Sequence, residues 1–250
     1  MEALPKLSII TVVKNDRAGL MKTVKSIRAQ QFTNFEHLII DGASTDGTAE
    51  WIEELSPAPD YWNSEADQGV YDAMNKGLDQ VRGDWIYFLN AGDQLANEQA
   101  LQKIVKCMNP NYHLVYWDIL RVSEQGQQAL WPQKPLFKYG LFNNICHQAL
   151  WYNRRLLGAF RFDTRFKVAA DANLLIQLLG NYRPLRYFRL PEALAIFFDG
   201  GISTKGAFDA LIERETAFSN WNMPPRIKRL NQLNLKRQQK KLLKRKRSVD

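Results

Sequence analysis

LSIITVVKND (7–16), HLIID (37–41) and WIYFLNAGD (85–93) share one design, an apolar run that stops on a polar or acidic tip. In a parallel α/β sheet, tips of this kind fall on one edge, and that edge is where open α/β sheets bind ligands. A cluster of carboxylates there calls for a cation, or for a ligand carrying a base and a sugar, rather than a bare anion. The intervening residues fit such a sheet. Leu20, Val24 and Ile27 mark one face of a helix over 19–30, and Ser44-Thr45-Asp46-Gly47-Thr48 offers N-caps for a helix that ends at Pro57. Residues 60–64 read as a further strand, and Val70, Ala73, Met74, Leu78 and Val81 recur at helical spacing over 69–81. Strand and helix alternate across 7–108, which predicts a mostly parallel sheet with right-handed crossovers.

Beyond Pro110 the pattern changes. Residues 112–120 and 129–131 read as strands separated by a polar turn at Glu124-Gln125-Gly126, an antiparallel signature. A helix fits 171–179, strand-like pieces flank Pro191 within 185–198, and another helix fits 206–220. The fold class is therefore α/β: a mixed, mostly parallel sheet flanked by helices, an antiparallel α+β extension and a basic C-terminal helical tail. The expected divisions are 1–108, 109–205 and 206–250.

At 250 residues, 45% hydrophobic and 24% charged, the chain can bury a full core as one large domain or two packed lobes. Its net charge of +8 is a property of one segment. Residues 226–250 carry 11 Lys/Arg and a single acid, Asp250, a balance of +10 that leaves −2 on residues 1–225. Two cysteines, Cys107 and Cys146, are too few for a disulfide framework and lack metal-ligand spacing, so a reducing, cytosolic setting is expected. The apolar run at 7–13 is too short to span a membrane, and no signal-peptide cleavage pattern follows it.

A G-x-x-x-x-G-K-[ST] loop, a G-x-G-x-x-G turn after a strand and a G-x-S-x-G elbow are all absent. Bound phosphates would then be neutralised by a metal and a few side chains instead of a glycine-lined cradle. Asp41 and Asp93 sit at equivalent strand ends, where desolvating two unpartnered carboxylates would cost several kcal/mol each. A divalent cation of the Mg²⁺ or Mn²⁺ type supplies the missing partner.

The ordered set SIITVVKND (8–16), IIDGASTDGT (39–48), DQGVYDAMNKG (67–77), FLNAGD (88–93) and ADA (170–172) resembles the family-two glycosyltransferases of GT-A fold, especially those of bacterial exopolysaccharide and lipopolysaccharide synthesis. The resemblance covers roughly residues 6–205. It implies an inverting transfer from a nucleotide-sugar donor, UDP-linked by preference, to a saccharide or lipid-linked saccharide acceptor. Asp41, with Val13 and Asn15, would meet the base and ribose. Asp67 and the helix bearing Asn75 and Lys76 would line the donor pocket, Asn90 would lie beside it, and Asp93 would ligate a Mn²⁺ or Mg²⁺ ion on the diphosphate. Asp171 would be the general base and His147 would lie near the acceptor. Ser203, with Thr204 and Lys205 after the Gly200-Gly201 pair, would belong to a loop closing over the diphosphate.

The chain departs from the family pattern at three places. The acidic pair after the second strand is reduced to Asp41-Gly42; D-x-D-D becomes Asn90-Ala91-Gly92-Asp93, which predicts a metal site filled only when the nucleotide co-ligates; and Met74 stands where Arg is frequent, with Lys76 as a substitute. The tail interleaves Ile227, Leu230, Leu233, Leu242 and Leu243 with its basic residues, which predicts peripheral attachment to the anionic inner face of a membrane. Nucleic-acid binding through that tail and nucleotidyl transfer on a similar sheet are the competing readings. The near-neutral body without a nucleic-acid-reading motif weighs against the first.

Overall fold

β1 (Leu7–Val13) is buried along its whole length because it runs between two parallel neighbours, β2 (Phe35–Asp41) and β4 (Trp85–Phe88). β3 (Tyr61–Ser64) extends the parallel sheet beyond β2. The computed structural model from which this architecture is read describes residues 6–133, 145–181, 184–200, 206–220, 229, 232–233 and 235–240. Helices α1 (Arg17–Arg28), α2 (Thr48–Glu53) and α3 (Val70–Leu78) connect these strands. α1 starts where Asp16 accepts the Gly19 N–H (2.9 Å), an N-cap, and buries Leu20, Thr23, Val24 and Ile27.

The second half adds β5 (Gln94–Leu95), α4 (Ala100–Val105), β6 (Leu114–Val122), β7 (Gln128–Trp131), β8 (Leu150–Asn153), α5 (Arg154–Leu157), α6 (Ala170–Asn181), β9 (Tyr187–Phe198) and α7 (Ala207–Asn220). Among the described residues all strands form one sheet, in the order β3-β2-β1-β4-β8-β6-β9-β5, with β7 paired to β6. The four parallel strands therefore continue directly into the second half. β8 lies antiparallel to both β4 and β6, and β9 runs parallel to β6.

Sequence and structure differ in a few elements. Pro191 does not split the last strand: β9 runs through it, and register shifts around Asp118 absorb the residues that cannot pair. Proline has no N–H to give the ladder, and a bulge is the ordinary way to keep it in a strand. α4, over Ala100–Val105, is a short helix that the sequence pattern does not single out. Ser203 and most of the basic tail lie outside the described residues. Among the described residues, no helix is long and apolar enough to cross a membrane.

Aromatic side chains hold the halves together. Tyr87 of β4, Trp117 of β6 and Trp151 of β8 are fully buried, with ring centroids 5.4–5.7 Å apart. Each such pair is worth roughly 0.5–1.5 kcal/mol beyond the apolar area it buries.

At the opposite edge of the parallel strands, Glu36 ties β1, β2 and the turn before β4 into one knot. Its buried carboxylate accepts the Ser8 hydroxyl (2.5 Å), the Arg82 and Gly83 N–H groups (2.6 and 3.0 Å) and the Arg82 side chain (3.0 Å). Burial pushes the carboxyl pKa up, but the hydrogen bonds from Ser8, Arg82 and Gly83 outweigh it and hold the group below its ordinary 4.5. A lowered folded-state pKa gives stability that is complete above 4.5 and is lost as pH falls through the folded value. Glu36→Gln is expected to lower unfolding free energy at neutral pH by about 1–3 kcal/mol. It should also reduce the loss of stability below pH 4.5, as read by urea denaturation across pH; an unchanged pH profile would remove Glu36 from this role.

Candidate active site

The carboxyl ends of β1 and β4 open onto a cavity of about 580 Å³. Its floor is Val12, Val13, Lys14 and Asp16 after β1 and Asn90 to Asp93 after β4; α3 forms one wall, with Tyr71 and Met74, and the end of β9 another, with Phe197 and Phe198. Two of the three strand tips, those of β1 and β4, thus line the cavity, and that of β2 does not.

After β1 the chain turns at Asn15, whose φ of 51° is a left-handed conformation that asparagine tolerates better than most residues. The Asn15 N–H donates to Ser44 Oγ (2.7 Å), and Asn15 Oδ1 accepts the Thr45 N–H (2.8 Å). Asp41 is fully buried and accepts the Ser44 N–H (2.9 Å), the Ser44 hydroxyl (2.5 Å) and the Ser64 hydroxyl (2.5 Å). Asn15 and Asp41 therefore fasten the 41–45 loop from below. Neither lines the cavity; Val13 does.

A carboxylate from another loop, Asp67, does line the cavity, held by the Gly69 N–H (2.9 Å) and by Lys14 Nζ (3.8 Å). It packs so closely on Gly42 that a Cβ there would lie 2.2 Å from Asp67 Oδ2. The missing acid of the Asp41-Gly42 pair is thus matched in space by a residue from another loop. No local pattern in the sequence shows this, because the contact joins positions 42 and 67.

Asn75 and Lys76 were expected to line the pocket and do not. Asn75 faces away from it, donating through Nδ2 to the Phe162 carbonyl (2.8 Å) and accepting the Phe162 N–H at Oδ1 (2.8 Å). Lys76 Nζ pairs with Glu65 (2.9 Å), the Ala66 carbonyl (2.9 Å) and Asp72 (3.7 Å). The cavity face of α3 is the one bearing Val70, Tyr71, Ala73 and Met74, so helical phase sends the next two residues elsewhere.

Thr23 of α1 shapes the β4 tip, its hydroxyl donating to the Asp93 carbonyl (2.7 Å) and accepting the Gly92 N–H (3.0 Å). Asp93 is buried, and Gln148 Nε2 donates to its Oδ2 (2.9 Å). Burial raises the Asp93 pKa to about 6, against the lowering influence of His147 and Gln148. Beside it, Asn90 Nδ2 lies 3.1 Å from His147 Nε2, while Asn90 Oδ1 is buried without a hydrogen-bond partner. His147 Nδ1 lies in turn 3.8 Å from Oδ2 of Asp171, in the first turn of α6. A polar chain thus joins the β4 tip to Asp171 through His147.

Among the described residues no three His, Cys, Asp or Glu side chains converge as a cation site. What the β4 tip offers is one buried carboxylate and one orphaned amide oxygen, both hard ligands suited to Mg²⁺ or Mn²⁺ but short of a full coordination sphere. These residues fit a cation whose remaining ligands arrive with a diphosphate. Asp16 and Lys167, which also line the cavity, were not singled out from the sequence. Asp16 stands at the end of a quoted motif and was findable; Lys167 is brought in by the turn before α6.

A mixed sheet of this order with its cavity at the carboxyl ends of the parallel strands is the architecture of the GT-A fold. The chain belongs to glycosyl transferase family 2, whose profile matches residues 8–170, more than half of its length. It is 34% identical over 187 residues, 72% of either chain, to a PGL/p-HBAD biosynthesis glycosyltransferase of Mycobacterium bovis. It is 32% identical over 127 residues, 49% of this chain and 40% of the other, to the GalNAc(5)-diNAcBac-PP-undecaprenol beta-1,3-glucosyltransferase of Campylobacter jejuni. The fold is that of S. aureus TarS 1-349 in complex with UDP-GlcNAc, with a TM-score of 0.71 at 17% identity over 89% of this chain and 69% of that one. It also matches the mannosyltransferase PcManGT of Pyrobaculum calidifontis in complex with GDP-Man and Mn²⁺, with a TM-score of 0.69 at 16% identity over 92% and 69%.

The contact between Gly42 and Asp67 can be tested directly. Gly42→Ala is expected to push the Asp67 carboxylate off its seat and weaken nucleoside diphosphate binding about tenfold, or 1.4 kcal/mol. Circular dichroism should be unchanged, since the Gly42 backbone is not in the left-handed region. Calorimetry with UDP decides, and wild-type affinity would show that Asp67 is not needed at this spot.

Proposed function

We propose that the protein is an inverting glycosyltransferase that moves a sugar from a nucleotide-sugar donor, UDP-linked by preference, to a saccharide or lipid-linked saccharide acceptor in cell-surface polysaccharide synthesis. The observation that carries this reading is the polar chain from the Asn90 to Asp93 tip through His147 to Asp171. It puts a diphosphate-side carboxylate and a candidate base within one connected site. The donor preference is supported by the neighbour bound to UDP-GlcNAc, and the lipid-linked acceptor by the undecaprenol in the name of the Campylobacter jejuni relative.

In this reading Val13 and Asp67 contact the nucleoside, while Asn15 and Asp41 act through the loop they hold. Lys14 and Lys167 lie on the cavity and balance phosphate charge. Asp93 and the orphaned Asn90 oxygen would hold a Mn²⁺ or Mg²⁺ ion, which when bound stabilises the charge growing on the leaving diphosphate as a Lewis acid. A GT-A neighbour carrying Mn²⁺ supports that assignment.

Asp171 takes the proton of the acceptor hydroxyl as its oxygen bonds to the anomeric carbon. The bond to the diphosphate oxygen breaks on the opposite face, so configuration inverts. His147, 3.8 Å from Asp171, marks the acceptor side of the cavity. Ser203, which lies outside the described residues, would contact the diphosphate, and residues 226–250 would contact an anionic membrane surface.

The donor is found by measuring nucleoside diphosphate release across UDP-, GDP- and dTDP-sugars with Mn²⁺. With the fastest donor, Asp171→Asn is expected to lower turnover at least ~10²-fold, the range of general-base catalysis, with UDP affinity unchanged. Turnover above about a tenth of wild type would remove Asp171 from the role of base. A chain ending at residue 225 is expected to lose co-sedimentation with phosphatidylserine vesicles; full-length-like binding would remove the tail from the membrane.

A further inference from the structure

Three consecutive backbone N–H groups just ahead of α6 point at a single side chain from α7. Glu213 Oε1 accepts the Lys167 N–H (2.7 Å), and Oε2 accepts those of Val168 (2.9 Å) and Ala169 (2.8 Å). Asp171 follows two residues later. On the other flank, the Tyr71 hydroxyl of α3 donates to the Val168 carbonyl (2.8 Å). The segment that presents Asp171 is therefore clamped between the donor-side helix α3 and the C-terminal helix α7. Arg214, the neighbour of Glu213, turns its positive charge toward Asp171 and Cys146.

We propose that Glu213 is a positioning residue for Asp171: it fixes the Lys167 to Ala169 turn and thereby sets where the carboxylate of Asp171 meets the acceptor hydroxyl. The inference rests on the reading of Asp171 as the base. A carboxylate gripping three N–H groups at a helix start is stabilised by charge-assisted hydrogen bonds and by the helix dipole, so it holds the turn more firmly than water would. The turn carries two kinds of cargo. Lys167 and Val168 line the cavity, and Asp171, buried just behind them, reaches it through His147, which also lines it, so a small shift of the turn alters reacting geometry more than it alters folding. The rest of the donor cavity, the tips of β1 and β4 and the face of α3, has its own anchors in Thr23 and Asp41. α7, which carries Glu213, lies outside the 8–170 span matched by the family profile.

The test compares Glu213→Ala and Glu213→Gln with wild type, using the donor that gives the fastest nucleoside diphosphate release. Misplacing a reacting group by about 1 Å costs on the order of 10²-fold in rate. Glu213→Ala is expected to lose kcat on that scale per folded molecule, with the donor KM and the Kd for UDP changed by about tenfold at most through Lys167 on the same turn, because a group that acts only in the transition state changes kcat without KM. Glu213→Gln keeps one acceptor oxygen and should recover part of the loss. Wild-type kcat in Glu213→Ala would overturn the proposal. So would a loss of kcat matched by an equal loss of UDP affinity or of folded protein, since that is what a purely structural cap would give. Asp171→Asn run in parallel separates the two claims: if it keeps turnover, the base assignment falls, whereas if it abolishes turnover while Glu213→Ala does not, only the positioning role falls.

Discussion

The pairing of β8 against β4 is the constraint on which the site depends. Tyr87 faces Trp151 and Ile86 faces Tyr152 in antiparallel register, so the residues just ahead of β8, His147 and Gln148, arrive beside the tip that follows β4. One turn then delivers Gln148 to Asp93 and His147 to Asn90 and Asp171. The buried Tyr87, Trp117 and Trp151 rings fix this register, because a slip by one residue would turn each ring to the opposite face. Packing in the core and alignment of the polar chain are consequences of the same strand pair.

Much of this was legible in the sequence where the signal was local. The strand tips at 13–16, 41 and 90–93, the helical phase of α1 and α3 and the antiparallel pair β6 and β7 all follow from periodicity and turn residues. The family resemblance read from the ordered motifs agrees with the profile match over 8–170. Contacts between distant positions were not legible. Asp67 under Gly42, Gln148 on Asp93 and Glu213 on the 167–169 turn join residues that no period connects. Asn75 and Lys76 show the converse error: a motif placed their helix at the cavity, but phase along the helix decides which residues face it, and these two turn to Phe162 and Glu65.

The β4 tip illustrates how a thinned motif can keep its chemistry. Asn90 has lost the charge of a carboxylate but keeps an oxygen, and that oxygen is buried and unpaired while its amide nitrogen meets His147. Asp93 remains, its proton held more tightly than usual by burial. On the proposed reading, a site built this way would have little hold on a lone cation and would complete its ligand set only with the nucleotide, so donor and metal would enter as a unit.

The Glu36 knot gives the sheet a division between its two ends. Ser8, Glu36 and Gly83 lock the starts of the same strands whose far ends carry Val13, Asp41 and Asn90. Because the strands are fastened at the end remote from the ligand, the tips can be rebuilt residue by residue while the sheet stays registered. That separation leaves room to change which sugar nucleotide is accepted without renegotiating the fold, and it makes the tip loops the natural place to retarget this enzyme by design.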